Sequence, residues 1–168
     1  MADTLYTTIS SPIDDLLLTG DGERLTRLYM RPVDGSDWRI GPGWRRDAAP
    51  FADVESQLDA YFAGEREDFD LPLALHGTDF QMRVWEQLTR IPYGETISYS
   101  QLALRLGDPK LVRAVGLANG RNPVSIIVPC HRVIGADGSL VGYGGGLERK
   151  QWLLEHEAVT SGRRLPVG

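Results

Sequence analysis

The sequence has very little of what several classes of protein require. A single cysteine among 168 residues excludes an internal disulfide and any multi-cysteine zinc site. No apolar run approaches the roughly 18 residues of a membrane-spanning helix, and the opening Met1-Ala2-Asp3 lacks the basic start and apolar stretch of a secretory signal. A hydrophobic fraction of 42% and a charged fraction of 24% exclude wholesale disorder. We therefore expect a soluble cytoplasmic protein with one ordinary domain or two small ones.

Positive charge is also scarce, but it is unevenly distributed. The whole chain has a net charge of −5. Residues 1–75 carry 15 acidic and 7 basic side chains, a net charge of −8, whereas residues 76–168 carry 8 acidic and 11 basic ones, a net charge of +3. Within residues 96–136 the only acidic residue is Asp108, against Arg105, Lys110, Arg113, Arg121 and Arg132. Such a stretch suits a DNA-facing surface, although chance segregation of charge would give the same pattern.

The first part of the chain predicts a small sheet and one helix. Apolar runs at Leu5–Ile9, 16–19 and Leu25–Met30 are separated by turn residues, which predicts an antiparallel meander. Residues 32–50, rich in Pro, Gly and Asp, predict a loop. The helical spacing of apolar residues over 54–62 then predicts a helix.

We expect a domain boundary near His76-Gly77, between an N-terminal α/β support domain, residues 1–76, and a second domain, residues 77–168, that carries the basic stretch and the single cysteine. The second domain opens with clear helix signals. Thr78 and Ser98 are each followed three residues later by a glutamine, the pattern of a capping box.

Two short helices joined by Gly-Asp-Pro follow the second capping box. Asp108 is placed to cap the second of them and Pro109 to occupy its first turn. The pattern is typical of a helix-turn-helix whose second helix carries Lys110 and Arg113, although a plain helical hairpin has the same pattern.

The last part of the chain mixes short apolar runs with turn signals. Residues 124–128 predict a buried strand, and the apolar pairs at 133–134 and 140–141 flank Asp-Gly, which predicts a hairpin. Residues 142–146 are a glycine-rich loop, and a final helix is predicted over about 147–157.

Cys130 is the residue with the most chemical potential. A lone cysteine is more often a small buried hydrophobe than a nucleophile, and a free thiol with a pKa of ~8.5 needs a base to react at neutral pH. His131 can supply that base, directly or through a water. Glu157, Glu155 and Glu148 on the last helix are the candidates for orienting the histidine.

The motif Pro129-Cys130-His131-Arg132-Val133 resembles the active-site motif of the O6-alkylguanine-DNA alkyltransferases, the direct-reversal DNA repair proteins. The resemblance spans roughly residues 78–158, in order and with family-like spacing. Further matching segments are Ile97-Ser98-Tyr99, Arg113-Ala114-Val115-Gly116, Asn122-Pro123, Gly142-Tyr143 and Trp152-Leu153-Leu154 with Glu157.

The resemblance implies a two-domain α/β protein. Its first domain would be a small antiparallel sheet with a ribonuclease-H-like fold, and its second a winged-helix-like domain with the helix-turn-helix. The implied activity is that of a methylated-DNA–protein-cysteine methyltransferase. This is a suicide enzyme that moves the alkyl group of O6-alkylguanine, and of O4-alkylthymine, onto its own cysteine after flipping the nucleotide.

The resemblance also implies a role for each matching residue. Cys130 would be the attacking thiolate, and His131, bridged by water and oriented by Glu157, would accept the thiol proton. Tyr99 would donate a hydrogen bond or proton to the base, and Asn122 would brace the active-site turn.

Recognition of base and DNA would involve a second set of residues. Tyr143 would wall the base pocket, and backbone groups near Cys130, Val133 and Gly144 would read the base. Arg113 would fill the gap left by the flipped nucleotide. Contacts to double-stranded DNA through the minor groove would come from Arg113, Lys110, Ala114 and Gly116.

The chemistry requires no cofactor, because the alkyl group remains on sulfur as a stable thioether. We expect no metal either: some relatives bind zinc through cysteines in the first domain, and this chain has none there. Gly144 also departs from the serine that many relatives carry, which bears on the width of the pocket. We further expect a monomer in solution with no membrane partner, and cooperative binding on DNA is left open.

Three alternatives use the same residues differently. A non-catalytic alkyltransferase-like lesion sensor would lack the nucleophile that Cys130 provides. A Cys-His-Glu hydrolase acting on small acyl substrates would turn over repeatedly and would not need Arg113. A transcriptional regulator would bind DNA sequence-specifically through the helix-turn-helix.

Overall fold

The computed structural model describes residues 4–162, so the predicted domain ends at residues 1 and 168 lie outside the described residues. Two compact units are present. One comprises the residues up to His76 together with Pro123–Ser125, and the other comprises Gly77–Asn122 and the residues from Ile126 onward. Within residues 4–162, no helix is long and apolar enough to cross a membrane.

The first unit contains a four-stranded sheet. Strands β1 (Leu5–Ile9), β2 (Leu16–Gly20) and β3 (Leu25–Met30) form the predicted antiparallel meander. A fourth strand, β4 (Arg45–Arg46), pairs with β1 in parallel, giving the order β3-β2-β1-β4. The sheet is therefore mixed rather than purely antiparallel, and β4 lies in the segment predicted as a loop. Strand β4 consists of two exposed arginines. It therefore lacks the alternation of apolar and polar residues by which a strand is predicted from sequence.

Helix α1 (Ala52–Phe62) completes the core of the first unit. Every residue of the interior strand β2 is buried, as its continuous apolar run implies. The inward side of α1 presents Val54, Leu58 and Tyr61, all at most 6% exposed. Gly64 follows the helix with a φ of 78°, a left-handed conformation that costs glycine little, and this explains why the helix ends there.

The segment Pro123–Ser125 belongs to the first unit through a short backbone pairing. Leu28 donates its N–H to the carbonyl of Pro123 at 3.0 Å, and Val124 forms an isolated parallel bridge with Leu28. The predicted strand over 124–128 is wrong. Ile126 has a φ of 73°, a conformation that breaks a strand and that is strained for a β-branched residue.

The second unit is mostly helical, with α2 (Asp79–Leu88), α3 (Tyr99–Arg105), α4 (Val112–Gly120) and α5 (Leu147–Thr160). Both predicted capping boxes are confirmed: the hydroxyls of Thr78 and Ser98 accept hydrogen bonds from the backbone N–H groups of Gln81 and Gln101, whose side chains bond back. These caps fix where α2 and α3 begin.

Helices α3 and α4 are the two members of the predicted helix-turn-helix. Asp108 accepts a hydrogen bond from the N–H of Lys110 at 2.9 Å, as predicted for a cap. Residues Pro109–Leu111 form a 3₁₀ turn that leads into α4, so α4 begins later than the proline suggests. The indole N–H of Trp85 in α2 donates to the carbonyl of Ala118 at 2.9 Å and holds α4 against α2.

The second unit also contains a two-stranded sheet. Strands β5 (Ile97–Ser98) and β6 (Val133–Ile134) pair in parallel. The predicted hairpin after β6 is wrong: Gly135 donates to the carbonyl of Ser139 at 2.8 Å to close a turn, but no strand returns. The carbonyl of Val141 accepts hydrogen bonds from side chains instead of from a neighbouring strand.

Candidate active site

Cys130 opens a short 3₁₀ turn, Cys130–Arg132, just before β6. Its backbone N–H donates to the carbonyl of Val128 at 2.8 Å, and the residue is only 4% exposed. The turn places three chemically active side chains in succession on a tightly bonded backbone. Such a turn can hold a nucleophile in a fixed position while its neighbours point elsewhere.

The two residues after Cys130 both bind one carboxylate. The His131 Nε2 lies 2.6 Å from Oε2 of Glu157. Glu157 lies on α5 and is only 1% exposed. Arg132 donates from Nε to Oε1 at 2.8 Å and from Nη2 to Oε2 at 3.1 Å, and its Nη1 donates to the carbonyl of Ile91 at 2.7 Å. The carboxylate therefore receives a two-pronged ion pair and a histidine contact at once.

Electrostatics decide which of these groups carries a proton. Burial alone would raise the pKa of Glu157, but His131 and Arg132 outweigh burial and hold that pKa well below its usual range. Burial lowers the pKa of His131, and the opposing pull of Glu157 is weakened because Arg132 already balances its charge. His131 is therefore neutral at pH 7 beside an ionised Glu157.

The protonation states fix the tautomer of His131. An ionised carboxylate can only accept, so Nε2 must carry the proton that is shared with Glu157. The other ring nitrogen, Nδ1, then has a free lone pair and has no hydrogen-bond partner among the residues that the structure describes. A buried imidazole in this state is a proton acceptor next in sequence to the only cysteine.

Two asparagines of α4 and its end hold the backbone around Cys130. Asn122 donates from Nδ2 to the carbonyl of Val128 at 2.7 Å, and Asn119 donates from Nδ2 to the carbonyl of Cys130 at 3.4 Å. The Cys130 carbonyl also accepts the N–H of Val133. The turn that carries the thiol is thus bonded from both sides.

Tyr99 lies at the first position of α3. Its hydroxyl donates to the carbonyls of Val141 and Gly142 at 3.0 and 3.3 Å. Partial burial raises the pKa of Tyr99, and the nearby Cys130 raises it further, against a hydrogen bond from Asn119. The hydroxyl therefore keeps its proton at neutral pH and serves as a donor.

The sequence motifs do not identify Lys150 as a residue of the site. It is fully buried on α5, its Nζ donates to the carbonyl of Val141 at 2.9 Å, and it lies 5.8 Å from the centre of the Tyr99 ring. Burial lowers the pKa of Lys150 to about 8, against the attraction of Cys130. The lysine stands seven residues before Glu157, two helical turns along the same face of α5, and this spacing is the signal that could have found it.

Arg132 and Asn119 were also missed as site residues. The charge pattern of residues 96–136 predicts that Arg132 belongs to a basic surface. Instead, Arg132 is only 5% exposed and forms a buried ion pair with Glu157. The expectation was wrong because sequence position alone does not distinguish a surface charge from a buried pair.

The residues expected around the base occupy the loop and strand that flank the turn. Val133 begins β6 and is fully buried, Tyr143 is half-buried, and Gly144 is exposed. A β-carbon on Gly144 would meet nothing closer than a carbonyl at 4.0 Å, so the loop leaves open space at this position.

The residues expected to face DNA lie on the outer side of α4 and the turn before it. Arg113, Ala114 and Lys110 are exposed, whereas Gly116 is half-buried. A β-carbon on Gly116 would lie 3.8 Å from the Tyr99 ring. The outward face of α4 therefore adjoins Tyr99, one of the residues near the thiol.

The part of the chain that the structure describes contains no group of three or more His, Cys, Asp or Glu side chains that could hold a metal ion.

Two domain models of one family match this chain: "6-O-methylguanine DNA methyltransferase, ribonuclease-like domain" over residues 4–75, and "6-O-methylguanine DNA methyltransferase, DNA binding domain" over residues 79–159. A methylated-DNA–protein-cysteine methyltransferase of Mycobacterium leprae is 55% identical over 91% of this chain and 93% of its own length. A constitutive one of Bacillus subtilis is 45% identical over 92% and 96%. The crystal structure of Mycobacterium tuberculosis OGT in complex with DNA superposes with a TM-score of 0.86 at 53% identity, covering 93% of this chain and 94% of that one.

Proposed function

The chain belongs to the 6-O-methylguanine DNA methyltransferase family, and from this premise we propose that Cys130 is the residue that takes the alkyl group. Its function is direct-reversal repair of DNA, with the activity of a methylated-DNA–protein-cysteine methyltransferase that reacts once. The chain has only one cysteine, so no other side chain can serve as a cysteine acceptor.

The proposed reaction is an in-line displacement at the alkyl carbon. The bond between sulfur and carbon forms as the bond between carbon and O6 of guanine breaks, and the electron pair of the broken bond stays with the base. The product on the protein is a thioether, which does not hydrolyse. The reaction therefore needs no cofactor and stops after one transfer.

His131 is the proposed base that removes the thiol proton, directly or through a water. The observation that supports this role best is its charge state: a buried neutral ring whose Nε2 is held by Glu157 and whose Nδ1 is free to accept. Glu157 is a positioning residue, because it contacts His131 and Arg132 rather than the reacting atoms.

Lys150 and Tyr99 complete the proposed chemistry. A buried ammonium close to Cys130 favours the thiolate over the thiol. Tyr99 is the proposed donor to the departing base, a role that requires its hydroxyl to exchange the Val141 carbonyl for the base. Asn122 braces the turn through Val128.

Tyr143 is the proposed wall of the base pocket, and backbone groups of Val133 and Gly144 are the proposed contacts to the base. The open space at Gly144 suits a loop that has to admit a base.

DNA is the partner of this protein, and we propose that the outer face of α4 enters its minor groove. The small residues on this face, the exposed Ala114 and the half-buried Gly116, let a helix approach closely. Arg113 would replace the flipped nucleotide in the stack, and Lys110 would contact phosphate. We also propose that the protein acts as a monomer in the cytoplasm, since one chain carries every group that the transfer needs.

Mass spectrometry of the intact protein tests the central proposal. After mixing with an oligonucleotide that contains O6-methylguanine, the protein is expected to gain one methyl group, on the peptide that contains Cys130. Cys130→Ser is expected to bind the same DNA and gain none, since it loses the nucleophile with little change in shape.

The number of repaired bases per protein separates this reaction from hydrolysis. One lesion per molecule is expected, even with excess substrate. Repair of many bases by each protein would contradict the single-turnover mechanism, and a methyl group on any other residue would contradict the role of Cys130.

A further inference from the structure

Helix α2 donates a side-chain hydrogen bond to the end of each helix of the helix-turn-helix. The indole N–H of Trp85 donates to the carbonyl of Ala118 in the last turn of α4 at 2.9 Å. Nη2 of Arg83 donates to the carbonyl of Leu106, where α3 ends, at 3.1 Å. Trp85 is buried and packs in the core, whereas Arg83 is exposed. Burial therefore does not account for the bond that Arg83 makes.

The end of α3 is a place where an arginine has a strong effect. The last carbonyls of a helix have no donor within the helix and carry partial negative charge, so a cation beside them stabilises the helix. Helix α3 has only seven residues, too few to be stable alone. Leu106 is its C-terminal cap residue, and Gly107 then turns the backbone away with a φ of 97°. Arg83 supplies a donor and a positive charge at this point.

The bond from Arg83 connects two elements that are distant in sequence. It spans 23 residues, and within the described part of the chain the Leu106 carbonyl is the one acceptor of the Arg83 guanidinium, which forms no ion pair there. Arg90, another exposed arginine nearby in sequence, instead pairs locally with Glu86 one helical turn away. Holding a long exposed side chain in one geometry costs conformational entropy. The cost is offset here by a link between α2 and the helix-turn-helix.

The turn that follows Leu106 leads directly into α4. Asp108 caps the 3₁₀ turn that precedes α4, and Arg113 is the second residue of α4. Trp85 holds the far end of α4 through Ala118. The start of α4 depends instead on where the turn leaves α3. By fixing the Leu106 carbonyl, Arg83 therefore fixes the start of the helix on which Arg113 stands.

We propose that Arg83 is a positioning residue for the repair of duplex DNA, because it holds the end of α3 in place and thereby sets where Arg113 meets the DNA. Arg83 acts through the turn between α3 and α4 and not through a contact with the reacting atoms. This inference rests on the proposed function, since it requires Arg113 to fill the gap that the flipped nucleotide leaves.

Arg83→Met tests the proposal, because it keeps a long side chain and removes its donors and its charge. Mass spectrometry follows Cys130 alkylation by a saturating duplex that contains O6-methylguanine and by free O6-benzylguanine. The duplex reaction is expected to slow by about threefold to tenfold, the effect of losing one hydrogen bond to a charged group. The free-base reaction, which does not use Arg113, is expected to keep its rate. Equal losses on both substrates, or an unchanged duplex rate, would overturn the proposal.

A double-mutant cycle distinguishes positioning of Arg113 from general support of the fold. If Arg83 acts through Arg113, then Arg83→Met should slow the duplex reaction by less than about twofold in the Arg113→Ala background. A structural role unrelated to Arg113 costs the same in both backgrounds, and such additive losses would overturn the inference alone. If Arg113→Ala by itself left duplex repair unchanged, the proposed role of Arg113 would be contradicted and this inference with it.

Salt dependence and a control variant test the remaining explanations. In Arg83→Met, the slope of the logarithm of DNA affinity against the logarithm of salt concentration is expected to keep its wild-type value. A slope smaller in magnitude by about one would show that Arg83 contacts a phosphate itself, which would overturn the positioning role. Arg90→Met is the matched control, since it removes an exposed arginine just after α2, and it is expected to keep the wild-type rates. An equal loss in Arg90→Met would assign the effect to net charge. Thermal unfolding curves set an assay temperature at which every variant is folded.

Discussion

Glu157 shares one negative charge between two basic side chains, and this division sets the state of the site. If Glu157 faced only His131, the ion pair would favour a charged imidazolium, which cannot accept a proton. Arg132 takes up the charge through two hydrogen bonds, so burial can keep His131 neutral. The arginine thus supports a proton acceptor without contacting the thiol's proton.

The first prediction concerns how the thiol is activated. His131→Ala and Glu157→Gln are expected to shift the pH dependence of Cys130 alkylation to higher pH and to slow the reaction at pH 7. Because the two residues act as a unit, the double variant should lose less than the two single losses combined. The measurement is the rate of Cys130 alkylation from pH 5 to 10, followed by mass spectrometry.

Unfolding curves are needed beside these rates, since Glu157→Gln leaves the buried Arg132 without its partner charge. Lys150→Met is the comparison: it removes a positive charge near the thiol but leaves the His131–Glu157 hydrogen bond and the partner of Arg132 in place. An unchanged pH profile in folded His131→Ala and Glu157→Gln would contradict the relay.

A second prediction follows from the lowered pKa of His131. Below pH ~6.5 the unfolded chain takes up a proton on this histidine while the folded chain does not. Stability is therefore lost as pH falls, by at most about 1.4 kcal/mol per pH unit for this one proton. The lowered pKa of Glu157 acts in the same direction below pH ~4.5.

Urea unfolding between pH 7 and 5 measures this loss. His131→Phe should flatten the dependence of the unfolding free energy on pH. His156→Phe is the matched control, because that ring stacks on Trp152 outside the site, and it should keep the wild-type slope. Equal slopes in wild type and His131→Phe would show that folding does not lower the pKa of His131.

The residues around the thiol differ in how far the sequence predicts them. Cys130, His131 and Glu157 lie in segments that resemble motifs of the alkyltransferase family. Lys150, Asn119 and Arg132 are polar residues on helices or turns, where a solvated surface is the usual outcome. Their burial depends on contacts with residues distant in sequence, which local patterns do not encode.

For the secondary-structure elements, local sequence signals predict where helices begin and end better than they predict which segments pair as strands. The capping boxes at Thr78 and Ser98 fix the starts of α2 and α3, because the bonds involved span only three residues. The strand expected over 124–128 and the hairpin after β6 are wrong for the opposite reason. Val124, Ile126 and Val128 are buried as expected, but the backbone turns at Ile126 instead of continuing as a strand. In the predicted hairpin, Val141 is exposed, so its apolar side chain is not evidence of a buried strand.

The third prediction concerns helix α4 and its proposed role in flipping the nucleotide. Arg113→Ala is expected to slow the repair of duplex DNA by about tenfold or more, since flipping a base costs a few kcal/mol that the arginine would offset. Its reaction with free O6-benzylguanine should be unchanged, because a free base needs no flipping.

The rates of Cys130 alkylation by both substrates give this comparison. Lys110→Ala removes one positive charge from the turn before α4 and serves as the matched control. It should weaken DNA binding while leaving the rate at saturating DNA unchanged. Equal losses on duplex and free base in Arg113→Ala would show that Arg113 supports the fold or the site instead.

Across the whole molecule, a net charge of −5 coexists with a locally basic face. The exposed basic residues of the stretch are Arg105, Lys110, Arg113 and Arg121, whereas Arg132 is internal. With about three phosphates contacted by these side chains, the logarithm of DNA affinity should fall with the logarithm of salt concentration with a slope of about −3.

Binding titrations from 50 to 300 mM salt measure this slope. Arg121→Ala should reduce its magnitude by about one. A slope near zero would mean that phosphate contacts contribute little and that the basic stretch is a chance segregation of charge.

The two-unit organisation also shows a limit of sequence patterns. A change in composition near His76 coincides with the point where the first unit gives way to the second. The membership of Pro123–Ser125 in the first unit has no such signal, since it depends on backbone bonds between Leu28 and residues almost a hundred positions later. Backbone pairing over that separation leaves no trace in local periodicity.

The burial of Cys130 also governs how the protein ages before it meets a lesion. Because each molecule reacts only once, any side reaction that oxidises or alkylates its sulfur inactivates that molecule before it repairs a lesion. With only 4% of the residue exposed, small oxidants and electrophiles in the surrounding water have little access to the thiol. The same enclosure that tunes the reaction therefore lengthens the working life of each unspent copy.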